Sequence, residues 1–330
     1  MRTRKEMQWL LWKYIARYCL LAGGLVAYIA FFTCPYHMEQ IYSYRDPRCL
    51  EALQALDQQS LVLFDIDDTL VYAPDVLANV RKADLDWRFF VRLFWRFPHL
   101  YKRSAREEVA SRMLLQAPRA LIEKEAAELI NSLKNRHIPV LSLTNLPTGA
   151  LGTIPCAEEW CYELLKSLGI TFSSTRADTR FTTVRDHPRA PINETGLDLN
   201  IRNMPRYRDN YPRLYKGLIC TNQTHKGLVL SAFLDHAQSA PSLIVFFDDT
   251  ASALQEVGEI CAHRGIPCKL FLYRGAEYLG QTFCQTRALN QLSRLIRTGV
   301  WVGDAETDAT LPQEGPDTAR THTPDPVFCP

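Results

Sequence analysis

The chain lacks the features that mark several large classes of protein. Its 330 residues carry a formal net charge of only +2, which gives no reason to expect nucleic acid or another polyanion as a partner. It has no internal repeat and no low-complexity tract, which argues against repeat architectures. Its ten cysteines follow no zinc-ligand spacing, even in the pairs Cys156/Cys161 and Cys261/Cys268. An ordinary globular composition remains, with enough chain for one large domain or two.

The N-terminus has a composition unlike the rest of the chain. Arg2, Arg4 and Lys5 precede an apolar stretch from Tyr18 to Cys34, which at about 17 residues reaches the lower limit for a membrane span. The stretch exceeds the usual apolar region of a signal peptide, and no small-residue cleavage site is evident. We therefore predict that residues 1–34 form an uncleaved signal-anchor, in preference to a cleaved signal peptide or a buried core helix.

The charges around this segment predict its orientation. Basic residues cluster before the apolar stretch, and the residues after it are mixed in charge. The positive-inside rule then places the N-terminus in the cytoplasm and the body of the protein outside it, on the periplasmic side. We expect residues 8–34 to contact the membrane, and we expect an exported protein if the segment is cleaved.

After the apolar stretch, the chain reads as alternating strands and helices. Residues 35–58 are predicted to be a connector ending in a short helix, and residues 59–300 to be one domain. Predicted strands cover 61–64, 138–143, 170–174, 214–220, 243–247 and 269–273, and predicted helices cover 117–136, 158–168, 226–236, 251–264 and 289–298. This alternation predicts an α/β fold with a doubly wound parallel sheet.

Three segments stand apart from the alternation. Residues 74–118 have a helical pattern, residues 176–212 predict a loop-rich surface insertion, and residues 301–330 predict a disordered tail. The arginine- and aromatic-rich part of the first segment, residues 85–103, fits a helical cap over a site, a surface that contacts lipid, or aromatic side chains that only pack the core of the cap itself. We prefer a cap that packs on itself.

Polar side chains close three of the predicted strands, and a lysine opens one helix. They are Asp65 and Asp67, Thr144 and Asn145, Asp248 and Asp249, and Lys226. Ligands of open α/β sheets bind beyond the carboxyl ends of the strands, so these residues would face one crevice. Asp65 and Asp67 share one face of an extended segment, and like charges so close need a cation or a proton. Carboxylates from two strands suit Mg²⁺, which prefers oxygen ligands.

The same residue types suit phosphoryl transfer. An aspartate can act as a nucleophile and form an aspartyl-phosphate. A second carboxylate two residues later can protonate the leaving oxygen and then take a proton from water. A hydroxyl, an ammonium and backbone N–H groups would stabilise the charge on the phosphoryl oxygens.

Together, the four segments resemble the motifs of the haloacid dehalogenase-like (HAD) superfamily, in the same order along residues 61–249. Within that superfamily, the chain is similar to an uncharacterised bacterial group of exported proteins. The resemblance implies a Rossmannoid core with a helical cap insertion. It also implies a Mg²⁺-dependent phosphohydrolase that acts on a small phosphorylated substrate.

The resemblance gives the carboxylates separate roles. Asp65 would be the nucleophile and a metal ligand. Asp67 would be the general acid and base, and its backbone carbonyl would bind the metal. Asp248 or Asp249 would complete the metal site. The presence of Asp67 favours phosphoryl transfer over dehalogenation, because dehalogenating members of the superfamily lack this second aspartate.

The remaining polar residues are assigned to the phosphate. Thr144 and Lys226 would bind the phosphoryl group, with Thr69 as a further contact. Asn145 would either contact the substrate or cap the turn that follows. Asp68 is interpreted as a turn or capping residue rather than as a catalyst.

Two alternatives to a phosphohydrolase stay open. The same fold could serve as a binding or envelope-interaction module with little or no catalysis, although intact Asp65 and Asp67 argue against that. A phosphotransferase would differ only in whether an alcohol or water accepts the phosphoryl group.

Overall fold

The structure is a computed structural model that describes residues 37–75, 77–78, 87–173, 178–182, 211–279 and 284–310. The predicted signal-anchor lies outside these residues, as do most of the 176–212 insertion and part of the 74–118 segment. Within the described ranges, no helix is both long and apolar enough to cross a membrane.

A mostly parallel sheet of eight strands forms the centre of the molecule. Its strands are β1 (Met38–Ile41), β2 (Leu61–Phe64), β5 (Val140–Thr144), β6 (Thr179–Arg180), β7 (Arg213–Tyr215), β8 (Leu218–Cys220), β9 (Ile244–Asp248) and β10 (Cys268–Tyr273). Their order is β1-β10-β9-β2-β5-β8-β7-β6. The six strands from β1 to β8 in this order pair in parallel, whereas β7 and β6 continue the sheet antiparallel. Strands β3 (Val71–Tyr72) and β4 (Ala120–Leu121) form a separate antiparallel pair.

Helices cover both faces of the sheet, which confirms the mixed α/β prediction and is compatible with a Rossmann-like fold. The helices are α1 (Pro47–Gln54), α2 (Trp87–Arg96), α3 (Arg103–Gln116), α4 (Glu125–Asn135), α5 (Ala157–Ser167), α6 (Lys226–Ala237), α7 (Ala251–Arg264), α8 (Gln285–Thr298) and α9 (Asp304–Thr310). Side chains of α1, α4 and α5 pack on one face of the sheet. Side chains of α6 and α7 pack on the other.

Strand β2 lies at the centre because all of its side chains are apolar and buried. Val62 is in register with Val140 of β5 on one side and Val245 of β9 on the other. Strands buried on both faces read as continuous apolar runs, which is the pattern of 61–64. The carboxyl ends of β2, β5 and β9 therefore meet at one edge of the sheet.

A third group of helices forms its own apolar cluster beside the sheet. Phe89, Phe94 and Phe97 from the α2 region are buried with residues of α3 and α8. The three phenylalanines thus belong to an apolar cluster that also includes α8, which lies outside the predicted cap segment. Trp95 does not take part, because it is 87% exposed.

The disordered-tail prediction is wrong for residues 301–310, and residues 311–330 lie outside the described ranges. Trp301 is buried in the helical cluster, and its indole N–H donates to Asp75 at 2.8 Å. The backbone N–H of Asp304 donates to the same carboxylate at 3.0 Å. The polar composition of residues 301–310 predicted disorder, but a few buried contacts are enough to order a short polar segment.

The connector prediction for residues 35–58 is also wrong in part. Residues Met38–Ile41 form the edge strand β1, paired with β10, and helix α1 lies in the main core. Similarly, residues 178–182 of the predicted loop insertion include strand β6.

One predicted helix and two predicted strands differ from the structure because of local backbone features. The predicted helix 117–136 begins only at Glu125, since Ala117 is extended before Pro118 and residues 120–121 form β4. The predicted strand 214–220 is a hairpin of β7 and β8, because Lys216 and Gly217 adopt left-handed backbone angles. Residues 170–173 form no strand, and 174 lies outside the described residues.

Candidate active site

The carboxyl ends of β2 and β9 bring three carboxylates together. Asp65 directly follows β2, and its N–H donates to the carbonyl of Phe247 at 2.9 Å, which extends the ladder by one residue. Asp248 ends β9, and Asp249 follows it. One carboxylate oxygen from each aspartate lies within 4.8 Å of the others, and all three residues are buried.

Lys226 joins two of these carboxylates. Its Nζ donates to Oδ1 of Asp65 and to Oδ2 of Asp248, at 2.6 Å in each case. The lysine is only 1% exposed, so this is not the solvated residue that a lone lysine usually is. Lys226 thus lies at the end of β2 and lines the same cleft as the other predicted residues.

The start of helix α6 holds Lys226 in this position. His225 caps the helix by accepting the N–H of Leu228 on its ring nitrogen. The backbone N–H of Lys226 donates to Oε2 of Glu256 at 2.6 Å, which links α6 to α7. A β-carbon at Gly227 would overlap the carbonyl oxygen of Glu256, so the close approach of the two helices requires glycine.

The cluster concentrates negative charge. Three buried carboxylates lie close together, and the Lys226 ammonium bonds to two of them. Like charges this close are costly unless cations or protons offset them. Burial raises the pKa of Asp248, and the ammonium of Lys226 opposes this shift. Clustered carboxylate oxygens are the ligands that a hard divalent cation prefers, so Asp65, Asp248 and Asp249 fit a Mg²⁺ site.

The cluster opens into a cleft of about 100 Å³. Asp65, Asp67, Thr144, Asn145 and Lys226 all line it, so the structure brings these predicted residues together. Asp67 is half-buried and lies outside the group of three clustered carboxylates. Its side chain is therefore placed towards the cleft rather than within the candidate metal cluster.

Thr144 ends β5 and Asn145 follows it, and both form hydrogen bonds with the loop before α6. The carbonyl of Thr144 accepts the N–H of Thr221 at 2.8 Å. The Thr221 hydroxyl donates to Oδ1 of Asn145 at 2.9 Å. This bond fixes the Asn145 amide beside the cleft, and sequence reasoning did not identify Thr221 as the residue that does so.

Two further residues follow β2 in the sequence, and of these only Asp68 lines the cleft. Thr69 is completely buried, does not line the cleft, and its hydroxyl has no hydrogen-bond partner within the described structure. A phosphate contact by the Thr69 side chain is therefore not supported. Asp68 adopts a left-handed backbone conformation, and its N–H donates to the carbonyl of Val71, as expected of a turn residue.

One cleft residue was missed by sequence reasoning. Arg119 lines the cleft from the segment between α3 and β4. The sequence prediction placed it within a helix. Pro118 was the signal for a boundary, because the residue before a proline is disfavoured in helical conformation.

A family model described as "Protein of unknown function (DUF2608)" matches residues 36–295 of this chain. An uncharacterised protein of Rickettsia prowazekii (strain Madrid E) is 25% identical over 76% of this chain and 83% of its own length. Proteins of Chlamydia muridarum (strain MoPn / Nigg) and Chlamydia trachomatis serovar D, both named as candidate outer membrane proteins, are 34% and 30% identical. These two matches cover 21% and 19% of this chain, and 26% and 24% of the relatives. No solved structure matches the chain significantly.

Proposed function

Since the chain belongs to the family described as a protein of unknown function (DUF2608), we propose its function from the candidate site: a Mg²⁺-dependent phosphohydrolase of the HAD type. One observation carries the proposal. Asp65, at the end of the central strand, shares a buried cluster with Asp248 and Asp249 and is held by Lys226. A carboxylate nucleophile, a set of oxygen ligands and a fixed cation are the groups that an aspartyl-phosphate route requires.

In the proposed reaction, a carboxylate oxygen of Asp65 attacks the phosphorus of a monoester. The new O–P bond forms as the bond to the leaving oxygen breaks, and Asp67 donates a proton to that oxygen. Asp67 then takes a proton from water, which attacks the phosphorus and releases Asp65 and inorganic phosphate. Bound Mg²⁺ would offset the negative charge of the phosphoryl group.

The other cleft residues have supporting roles in this scheme. Lys226 orients the Asp65 carboxylate and neutralises charge. Thr144 and Asn145 line the cleft and would donate hydrogen bonds to the phosphoryl oxygens. The helical cluster of α2, α3 and α8 would act as a cap, since Met113 and Leu114 of α3 line the cleft.

The proposal is tested with the purified full-length chain, Mg²⁺ and a broad panel of phosphomonoesters. We expect hydrolysis that Asp65→Asn lowers by at least ~10³-fold, because this change removes the nucleophile. Asp235→Asn is the matched control, since this carboxylate is 68% exposed and lies outside the site. Hydrolysis that persists unchanged in Asp65→Asn would show that a contaminant or another residue is responsible.

Trapping a phosphate mimic on Asp65 distinguishes a phosphohydrolase from a binding module that retains the site without catalysing a reaction. We expect Mg²⁺ and fluoroberyllate to give an adduct on wild type that mass spectrometry or fluorine NMR detects, and none on Asp65→Asn. Adding a small alcohol to the assay distinguishes a phosphotransferase, which would form a new phosphate ester in place of inorganic phosphate.

We also propose that the protein resides at the cell envelope. The basic and apolar N-terminal sequence supports this location, as do the names of the two Chlamydia relatives. Fractionation of cells that express the full-length chain tests the proposal, and the envelope fraction is expected to contain it.

A further inference from the structure

Arg119 is a cleft residue that the proposed reaction does not use. Its Nε is buried and has no hydrogen-bond partner in the described part of the chain. A buried, unpaired donor is costly to a fold, and a guanidinium presents several donors in a rigid fork. Such a group in a cleft is typical of a site that a ligand completes.

Two other half-buried arginines have partners. Arg106 donates to the backbone carbonyls of Leu100 and Tyr101, at 2.9 Å in each case. Arg213 pairs with the buried Glu158 at 3.3 Å. Arg119 thus differs from them, since it faces the cleft that also holds the reactive carboxylates.

The backbone around Arg119 is tied to the turn that follows Asp65. Arg119 directly precedes β4, which pairs with β3. One residue beyond β4, the N–H of Ile122 donates to the carbonyl of Leu70 at 3.0 Å. Arg119, Asp67 and Cys161 all line the cleft. Arg119 therefore lies on the same cleft as the carboxylates of the proposed reaction.

We infer, on the basis of the proposed function, that Arg119 binds a second anionic group on the leaving group of the phosphomonoester. That group is a carboxylate or a second phosphate, since the guanidinium fork matches both. The apolar lining of the same cleft, which includes Leu151, Trp160 and Leu164, would contact the carbon frame between the two anions. The substrate class is thus a small phosphomonoester whose leaving group carries a second anionic group.

Binding of non-hydrolysable phosphonates tests this inference without requiring turnover. Calorimetry with the full-length protein and Mg²⁺ compares phenylphosphonate, para-carboxyphenylphosphonate and para-phenylene bisphosphonate. We expect wild type to bind at least one of the two ligands that carry a second anionic group ~10- to 100-fold more tightly than phenylphosphonate. Which of the two gains more identifies the anion as carboxylate or phosphate.

The variants separate selectivity from folding. Arg119→Met is expected to abolish this preference while phenylphosphonate binding changes by less than ~3-fold, and Arg119→Lys is expected to restore part of it. Arg92→Met is the matched control, because Arg92 is exposed on α2, and it should leave the preference intact. Thermal unfolding shows whether each variant is folded. If Arg119→Met does not fold, the ligand preference of Arg119→Lys alone tests the inference.

Two results would overturn the inference. One is wild type that binds neither ligand with a second anionic group more tightly than phenylphosphonate. The other is an equal loss for all three ligands in Arg119→Met and Arg119→Lys, which would show that Arg119 binds the transferred phosphoryl group. An Arg119-dependent preference in a protein without phosphatase activity would support the binding role while refuting the proposed hydrolysis.

Discussion

At the scale of single residues, Lys226 decides whether the carboxylate cluster can exist. Its ammonium lies 2.6 Å from oxygens of both Asp65 and Asp248, and all three side chains are nearly inaccessible to solvent. Buried like charges are costly unless a nearby cation or a bound proton offsets them. Lys226 therefore has a structural role, whatever its part in a reaction.

We predict that Lys226→Met destabilises the protein by about 3 kcal/mol in EDTA, because it leaves buried carboxylates without their partner. Saturating Mg²⁺ should recover part of this loss, since a bound cation would replace the missing charge. Urea unfolding in EDTA and in Mg²⁺ measures both effects.

A surface lysine provides the control for this prediction. Lys166 pairs with Glu163 at 3.4 Å in an exposed position, so Lys166→Met should cost less than about 0.5 kcal/mol. If Lys226→Met unfolds at the same urea concentration as Lys166→Met, the ammonium does not hold the cluster together.

At the scale of elements, the contact between α6 and α7 sets the position of Lys226. Gly227 lies directly after the lysine, against the backbone of Glu256. The absence of a side chain lets the two helices approach, and the N–H of Lys226 then reaches the Glu256 carboxylate. The packing of α6 on α7 thus places Lys226 at the carboxyl edge of the sheet, beside Asp65.

We predict that Gly227→Ala lowers the free energy of unfolding by about 2 kcal/mol, because the new methyl group forces the helices apart. In a helix without this contact, the same change would instead stabilise by about 1 kcal/mol. The proposed phosphatase activity should fall as well, since Lys226 would shift. Urea unfolding and monoester hydrolysis measure the two effects.

Gly265 offers the comparison for this variant. It ends α7 in a left-handed conformation, with nothing near its missing β-carbon. Gly265→Ala should cost about 1 kcal/mol through backbone strain alone and leave activity unchanged. A stabilised and fully active Gly227→Ala protein would contradict the packing argument.

At the scale of the whole molecule, strand order creates the site. The chain passes from β2 to β5 and β8 on one side, and then crosses to β9 and β10 on the other. Asp65 and Asp248 are far apart in sequence but end adjacent parallel strands. Crevices at the carboxyl ends of strands form where the strand order reverses, and the cleft lies at such a point.

The envelope proposal is also tested on the whole molecule. We predict that the full-length chain sediments with membranes, resists extraction by high salt and is released by detergent. Leu25→Arg combined with Val26→Arg should shift it to the soluble fraction, because two charges in the middle of the apolar stretch oppose insertion by about 5 kcal/mol.

A charge at a surface position is the control for this experiment. Val300 is 51% exposed, so Val300→Arg should leave the distribution unchanged. Digestion of spheroplasts by added protease then reports the side of the membrane. A chain that remains soluble with residues 18–34 intact would argue against an anchor.

The sequence by itself determined the elements whose signal is local. The apolar runs before Asp65 and Asp248 gave two central strands, and the bounds of helix α7 matched the prediction at both ends. The order of polar residues at strand ends also predicted that Thr144, Asn145 and Lys226 would share one cleft. These signals survive without tertiary information because periodicity and turn chemistry act over a few residues.

The tertiary structure decided what depends on distant partners. Only the fold shows that Lys226 bridges two carboxylates, that Arg119 faces the cleft and that Trp301 is anchored by Asp75. Thr69 matched a motif in sequence, yet the turn buries it away from the cleft. The physical reason is that hydrogen bonds and charge pairs form between residues that the sheet brings together. A single sequence does not encode those pairings as a local pattern.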